Sequence, residues 1–300
     1  MQLHVVYRYH PGENAKGRPG YYSKALALAS LLRSAEACRE EPDLVFAHDG
    51  PVEDHLREVM QEHGSLHPIR GGSARRSYLS ALLLTRRLSW DPADLVLLVE
   101  DDYLFVPQAL GAVLDAARAL PPGWYVTPYT DDWDEASAPQ PEIDGGWRRA
   151  RSTTSTFGTS VATLGEDGGL LRLCPYSGGA WDTATCLTLQ GRPPFTWQRL
   201  AVEARGVSSE DDGQGRRRIA ARALVRAVLM VRAHRRPSRR RALAAPRPNL
   251  ATHLEEGWLS PGRNWEQVAE ETLTWAQSYC PRLAEAMVGS RGAAGGRPVM

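Results

Sequence analysis

Residues 95–105 read Leu-Val-Leu-Leu-Val-Glu-Asp-Asp-Tyr-Leu-Phe, so a short apolar run delivers Glu100, Asp101 and Asp102 at its end. The run has the length and β-branched content of a strand buried on both faces. In open α/β sheets, ligands bind at the carboxyl ends of such strands. Carboxylates held together there repel one another. A hard divalent cation relieves that repulsion and can also hold a diphosphate. The trio alone is equally compatible with an ordinary solvated turn, so the rest of the chain has to discriminate.

The elements that would position the trio are legible upstream of it. Leu3–Tyr7 reads as a strand, and a Gly- and Pro-bearing loop follows from Pro11 to Gly20. Tyr21–Cys38 has helical spacing, Leu44–Ala47 is a second strand ending in His48-Asp49-Gly50, and Val52–His63 suits a helix. Ile69 begins a short strand or turn, Ser77–Leu88 is helical, and Leu95–Val99 is the strand leading to the acids. Pro107–Leu120 is a helix stopped by Pro121-Pro122-Gly123, and Trp124–Pro128 gives one more strand. Such strand–helix alternation implies an α/β fold with a mainly parallel sheet and helices on both faces. Later stretches are less regular: Phe157–Leu164 reads as a strand, Trp181–Gln190 as a turn passing into a helix, and Trp265–Met287 as a last helix.

Composition narrows the classes. The chain has 300 residues and a net charge of +1, enough for one large α/β domain with an appendage. Only Lys16 and Lys24 are lysines, which we read as nucleotide bias in the source genome. Four widely spaced cysteines show no metal-binding spacing and suit reduced thiols. With no signal-peptide pattern and no membrane-length apolar run, the expected location is cytoplasmic. The first strand is followed by Arg8-Tyr9-His10-Pro11 instead of a Gly-x-Gly-x-x-Gly turn, which argues against a dinucleotide site, and a P-loop is missing too.

With these alternatives removed, the chain resembles the GT-A-fold nucleotide-sugar glycosyltransferases. Glu100-Asp101-Asp102 occupies the place of that family's metal-binding acidic motif, in the Glu-Asp-Asp form of N-acetylglucosaminyltransferase I and its relatives. Phe46-Ala47-His48-Asp49-Gly50 resembles the second-strand ending at which an aspartate meets the base. The resemblance covers about residues 3–130 and the remainder in pieces. It implies a Rossmann-like GT-A sheet at 1–205, with a donor half to about 130 and an acceptor half beyond. Composition adds an Arg-rich flexible or membrane-surface insertion at 206–247 and a disordered tail at 289–300, around a C-terminal helical and loop extension at 248–288 that completes the site.

The resemblance also implies roles. Asp102 is the expected ligand of Mn²⁺ or Mg²⁺, with Asp101 and Glu100 on the ribose, the donor sugar or metal-bound water. Asp49 either accepts from a base N–H or forms a turn before Gly50. Arg8, Arg75 and Arg76 are candidates for donor phosphate or sugar, although any one of them also suits a solvated surface. Asp182 is the candidate general base or, alternatively, a helix-capping aspartate. Asp131, Asp132, Asp134 and Glu135 are its rivals. His253 is either a late metal ligand or a structural histidine. Trp133, Trp147, Trp181 and Trp258 are either acceptor platforms or core. The expected partners are a nucleoside-diphosphate sugar and a hydroxyl acceptor, with no nucleic acid; the alternatives are a sugar nucleotidyltransferase and a non-catalytic carbohydrate- or membrane-binding module.

Residues 216–241 hold eleven arginines and no acid, so the remainder of the chain is net −10. Ala220, Leu224, Val228 and Val231 share one helical side, but Val225 and Leu229 fall among the arginines. We take this segment first as a mobile surface insertion, next as a contact for an anionic membrane, and then as a polyanion site.

Overall fold

Alternate residues of the central strands feed two separate cores. Leu3, Val5 and Tyr7, with Phe46, Leu97 and Val99, face one side, while Val6, Val45, Ala47, Val96 and Leu98 face the other. This two-sided burial explains why the runs are continuously apolar. The computed structural model describes residues 1–12, 16–134, 146–204, 216–235 and 240–294. Its elements are β1 (Leu3–Tyr9), α1 (Lys24–Glu36), β2 (Asp43–His48), α2 (Asp54–His63), β3 (Ser65–Pro68), α3 (Ala74–Thr85), β4 (Leu95–Glu100), β5 (Tyr103–Phe105), α4 (Ala109–Ala119), β6 (Tyr125–Val126), β7 (Arg148–Ala150), β8 (Phe157–Ser160), α5 (Val161–Leu173), α6 (Trp181–Leu189), α7 (Trp197–Ala204), α8 (Arg216–His234), β9 (Leu243–Ala245), β10 (Ala251–His253), α9 (Trp265–Tyr279) and α10 (Pro281–Ala294).

Eight strands form one sheet in the order β3-β2-β1-β4-β8-β6-β9-β7. The β1–β2, β2–β3, β1–β4 and β6–β9 pairs are parallel, and β8 runs antiparallel between β4 and β6. Helices α1, α2, α4, α9 and α10 cover one face, and α3, α5, α6 and α8 the other. The expected α/β class, with a mostly parallel sheet between two helical layers, is therefore the one adopted. Strand order reverses at β1, which has β2 on one side and β4 on the other. That is where an open α/β sheet leaves a crevice at its carboxyl edge.

Local chemistry sets several boundaries. The side chains of Ser23, Ser73, Ser160 and Asn264 accept from backbone N–H groups three residues on and start α1, α3, α5 and α9. The Ser160 cap corrects one expectation: only Phe157–Ser160 of the run 157–164 is strand, and the rest opens α5. Likewise, the helix expected over Trp265–Met287 is two helices, because Pro281 lacks an N–H and suits the first position of α10. That second helix runs to Ala294, past the point where a frayed tail was expected; 295–300 lie outside the described residues.

The arginine-rich segment also differs from its leading expectation. Over 216–234 it is a helix packed on α6 and α7 with Arg226 and Arg222 buried, not an insertion standing apart. Residues 236–239 lie outside the described part.

Candidate functional site

The acidic trio sits at the carboxyl end of β4 beside β1, and every member is met by a cation. Arg8 and Glu100 are register partners on the parallel pair β1–β4, so their side chains share a face and form an ion pair. Asp101 receives Lys24 Nζ at 2.6 Å and the His10 backbone N–H at 2.8 Å. Asp102 Oδ2 receives Arg18 Nη2 at 3.0 Å and lies 3.0 Å from His253 Nε2. Lys16 pairs with Glu255, whose Oε2 is 3.6 Å from His253 Nδ1.

A small second sheet makes the longest of these connections. β5, which directly follows the trio, pairs antiparallel with β10 so that His253 lies opposite Tyr103. The two rings stack at 5.1 Å. The Leu254 N–H donates to the Asp102 carbonyl at 2.8 Å, and Arg18 Nη1 donates to Leu254 O at 2.6 Å. A histidine 151 positions away is thereby fixed against Asp102. From behind, Thr156 Oγ1 accepts the Glu100 N–H at 3.3 Å and Thr154 bonds the Tyr103 hydroxyl, which gives the Ser152–Thr156 run a supporting role.

Burial and charge pull these acids apart. Burial raises the Glu100 carboxyl despite Arg8, and raises Asp101 despite Lys24. Burial would raise Asp102 as well, but the bonds from His253 and Arg18 outweigh it and hold that carboxyl well below the usual range. Burial lowers His253, yet the Asp102 bond prevails and its value is raised. The pair therefore favours imidazolium and carboxylate.

Among the described residues, no group of three or more His, Cys, Asp and Glu side chains is arranged to hold an ion. Two converging donors suffice for an ion that also takes phosphate oxygens and water, as Mg²⁺ does. Asp102 Oδ2 and His253 Nε2 stand 3.0 Å apart. Adjacent ligands of a six-coordinate ion with bonds of about 2.1 Å are separated by about 3.0 Å. The carboxylate oxygen suits Mn²⁺ or Mg²⁺, whereas an imidazole nitrogen is more typical of zinc, copper, iron and nickel. To hold the expected cation, His253 would have to give up the proton it shares with Asp102 and Arg18 would have to leave Oδ2, so the two side chains offer a partial ligand set.

The other candidates scatter. Asp49 is buried, and its carboxylate accepts the N–H groups of Gly71 at 2.9 Å and Gly72 at 3.2 Å. A Cβ on Gly71 would lie 1.8 Å from Asp49 Oδ2, so only glycine permits this loop. Asp49 thus anchors a loop, which is closer to its turn-forming alternative than to a base contact. Arg75 and Arg76 are exposed in the first turn of α3, and Arg75 stacks over Tyr176 at 4.8 Å. Asp182 lies in the first turn of α6, accepts from the Thr183 N–H at 2.8 Å, and caps nothing earlier. Burial raises its carboxyl, with the Thr183 bond and Lys16 opposing and Asp131 adding. Asp182 in turn adds to the upward push on Glu100 after burial and Asp102.

Of the rivals, Asp134 is held by Arg192 at 2.5 Å and Asp132 accepts from Ser152 at 3.2 Å. Asp131 is exposed, and Glu135 lies outside the described residues. Trp147 is core, whereas Trp258 is 48% exposed. Trp181 leans on Tyr78 at 4.7 Å, and Trp133 lies under Arg247 at 5.2 Å.

Sequence reasoning missed His10, Lys16, Arg18, Lys24 and Glu255. A signal existed for the lysines: with two among 36 basic residues, both stand at this site.

No family model matches the chain, and no curated protein matches it by sequence. Among solved structures it is similar to CMP:2-keto-3-deoxy-manno-octonic acid synthetase complexed with CTP, at 12% identity and a TM-score of 0.40 over 62% of this chain and 83% of that one. It is also similar to residues 1–349 of S. aureus TarS, at 13% identity and a TM-score of 0.39 over 78% and 74%. A third is 4-diphosphocytidyl-2C-methyl-D-erythritol synthase, at 13% identity and a TM-score of 0.37 over 61% and 83%.

Proposed function

We propose that the chain transfers a hexosyl unit from a nucleoside-diphosphate sugar to an acceptor hydroxyl, with a divalent cation and inversion at the anomeric carbon, in the manner of the Glu-Asp-Asp glycosyltransferases. One observation carries the reading: pairing of β5 with β10 sets His253 3.0 Å from Asp102 at the carboxyl end of β4 beside β1. An ordinary acidic turn requires no such long-range partner.

Asp102 and His253 would hold Mn²⁺ or Mg²⁺. When bound, the ion neutralises the diphosphate and stabilises the departing nucleoside diphosphate. Around it, the chain's own cations do the positioning. Arg18, now on Asp102, can turn its guanidinium to a phosphate, which it matches bidentately. Lys24 and His10 orient Asp101 toward a ribose or sugar hydroxyl, and Arg8 holds Glu100 in place. Asp182 takes the proton of the acceptor hydroxyl. Its carboxyl, raised by burial, is a better base than an exposed aspartate. Arg75 and Arg76 remain candidates for the donor through their exposure at the start of α3, and Asp49 reaches the base only indirectly, through the loop that it anchors.

Hydrolysis of a panel of UDP-, GDP-, CDP- and ADP-hexoses with and without Mn²⁺ tests the proposal. Slow, Mn²⁺-dependent release of one nucleoside diphosphate is expected. Pyrophosphate release from a nucleoside triphosphate and a sugar 1-phosphate, with no donor hydrolysed, would overturn it in favour of a nucleotidyltransferase.

A further inference from the structure

Helix α8 buries Ile219, Ala223, Leu229, Met230 and Ala233 as a surface helix should, but it also buries two arginines and leaves three aliphatic side chains outside. Arg226 is 1% exposed and Arg222 is buried, whereas Leu224 is 68%, Val231 40% and Val228 36% exposed. The buried arginine is fully committed: Arg226 pairs with Glu203 of α7, donates from Nε to Ser177 O at 2.7 Å, and lies over the Phe195 ring at 4.8 Å. α7 and the 174–177 turn take Arg226 inward together with Ile219, Leu229 and Met230, and three aliphatic side chains on the opposite side remain outside. Leu224, Val228 and Val231 follow the i, i+4, i+7 spacing and form one outward stripe. Arg217 and Arg218 at its amino end and Arg232 and Arg235 at its carboxyl end are exposed, and no exposed position of α8 carries an acid. The adjoining α7 exposes Trp197 and Val202.

An aliphatic stripe between arginine pairs matches one environment well. The apolar side chains enter the boundary of a bilayer, and the guanidiniums meet lipid phosphates. The rest of the molecule is acidic outside 216–241, so an anionic surface would attract this face and repel the others. Among the described residues, no helix is long and apolar enough to cross a membrane, so the contact would be peripheral. We propose that the outer face of α8 docks on an anionic phospholipid bilayer.

The location adds a consequence for the site. Arg226 holds the carbonyl of Ser177, and Arg222 lies against Gly178, so α8 supports the loop that leads into Asp182. On the transferase reading, docking at α8 would hold the loop before Asp182 close to the membrane that carries the acceptor. The docking itself does not rest on that reading.

Co-sedimentation of the full chain with vesicles tests the docking independently of turnover. The probes are phosphatidylcholine vesicles and phosphatidylcholine vesicles with about one third phosphatidylglycerol. The protein is expected to pellet with the anionic vesicles, at least about tenfold better than with the neutral ones, and to be released as salt rises. Leu224→Glu with Val228→Glu should lower the partition about tenfold or more, and so should Arg217→Gln, Arg218→Gln, Arg232→Gln and Arg235→Gln together. All of these positions are exposed, and unchanged circular dichroism and melting would confirm that the variants fold. Failure to pellet, equal binding to both vesicles, or wild-type binding by either variant would overturn the proposal. So would a dimer in vesicle-free gel filtration that the Glu variant dissolves, because a second copy would then cover the face.

Discussion

The ion pairs at the end of β4 and the one beneath α8 use the same groups in opposite ways. Around the trio, the side chains of Arg8, Lys24 and Arg18 and their acids keep 12% to 22% exposure at the carboxyl edge of the sheet. Arg226 and Glu203 keep 1% and 5%. The first set is accessible enough for a cation to trade its carboxylate for a ligand's phosphate. The second is sealed, and losing Arg226 would leave Glu203 the half-exposed Arg199 at 3.3 Å, while losing Glu203 would leave Arg226 buried beside the Ser177 carbonyl. Position in the fold, rather than residue type, therefore separates a pair poised for exchange from one that only holds helices together.

The largest expected effect breaks the exchangeable set. Asp102→Ala should reduce donor turnover about 10³-fold and lower melting less than loss of the sealed pair does, since only partly exposed bonds to Arg18 and His253 are broken, measured by product release and thermal denaturation. The sealed pair should respond in the opposite manner. Arg226→Met is expected to cost about 3 kcal/mol or more of stability in urea unfolding, and adding Glu203→Leu should restore most of it. Next, Asp182→Asn should lower turnover about 10²-fold with donor binding unchanged, in assays at saturating donor. A smaller effect falls on Lys24→Met, which should raise the donor KM about tenfold and leave melting nearly untouched. The last is a pH effect in chelator. His253 is raised by Asp102, so its contribution to stability is whole below its ordinary value of about 6.5 and is lost as pH climbs through the raised one. Melting of the wild type should fall over that interval, and that of His253→Asn should not.

How far the sequence reveals this arrangement depends on the range of the interaction. Strands β1, β2 and β4, their intervening helices and the acid-bearing strand end follow from local periodicity, with ends shifted by a few residues. Short strands such as β5 and β10 are invisible because three residues carry no period, and their partners lie far apart in the chain. His253 was identifiable only by resemblance, since nothing local signals a bond to Asp102. Arg18 and Lys24 look like ordinary polar residues of a loop and a helix start until the fold sets them against the trio. In α8, the arginines at 222 and 226 read as solvated; that Glu203 would draw Arg226 inward, and leave Leu224 outward, is a tertiary outcome without a sequence signature.

The central claim is that a divalent ion joins Asp102 to a donor's diphosphate. Titration calorimetry of UDP, GDP, CDP and ADP against the full chain, with Mn²⁺ and then with chelator, addresses it most directly. One of the four should bind with Mn²⁺, lose at least about tenfold in affinity without it, and fail to bind Asp102→Asn. Tight binding that is indifferent to both Mn²⁺ and the Asp102 substitution would contradict the claim.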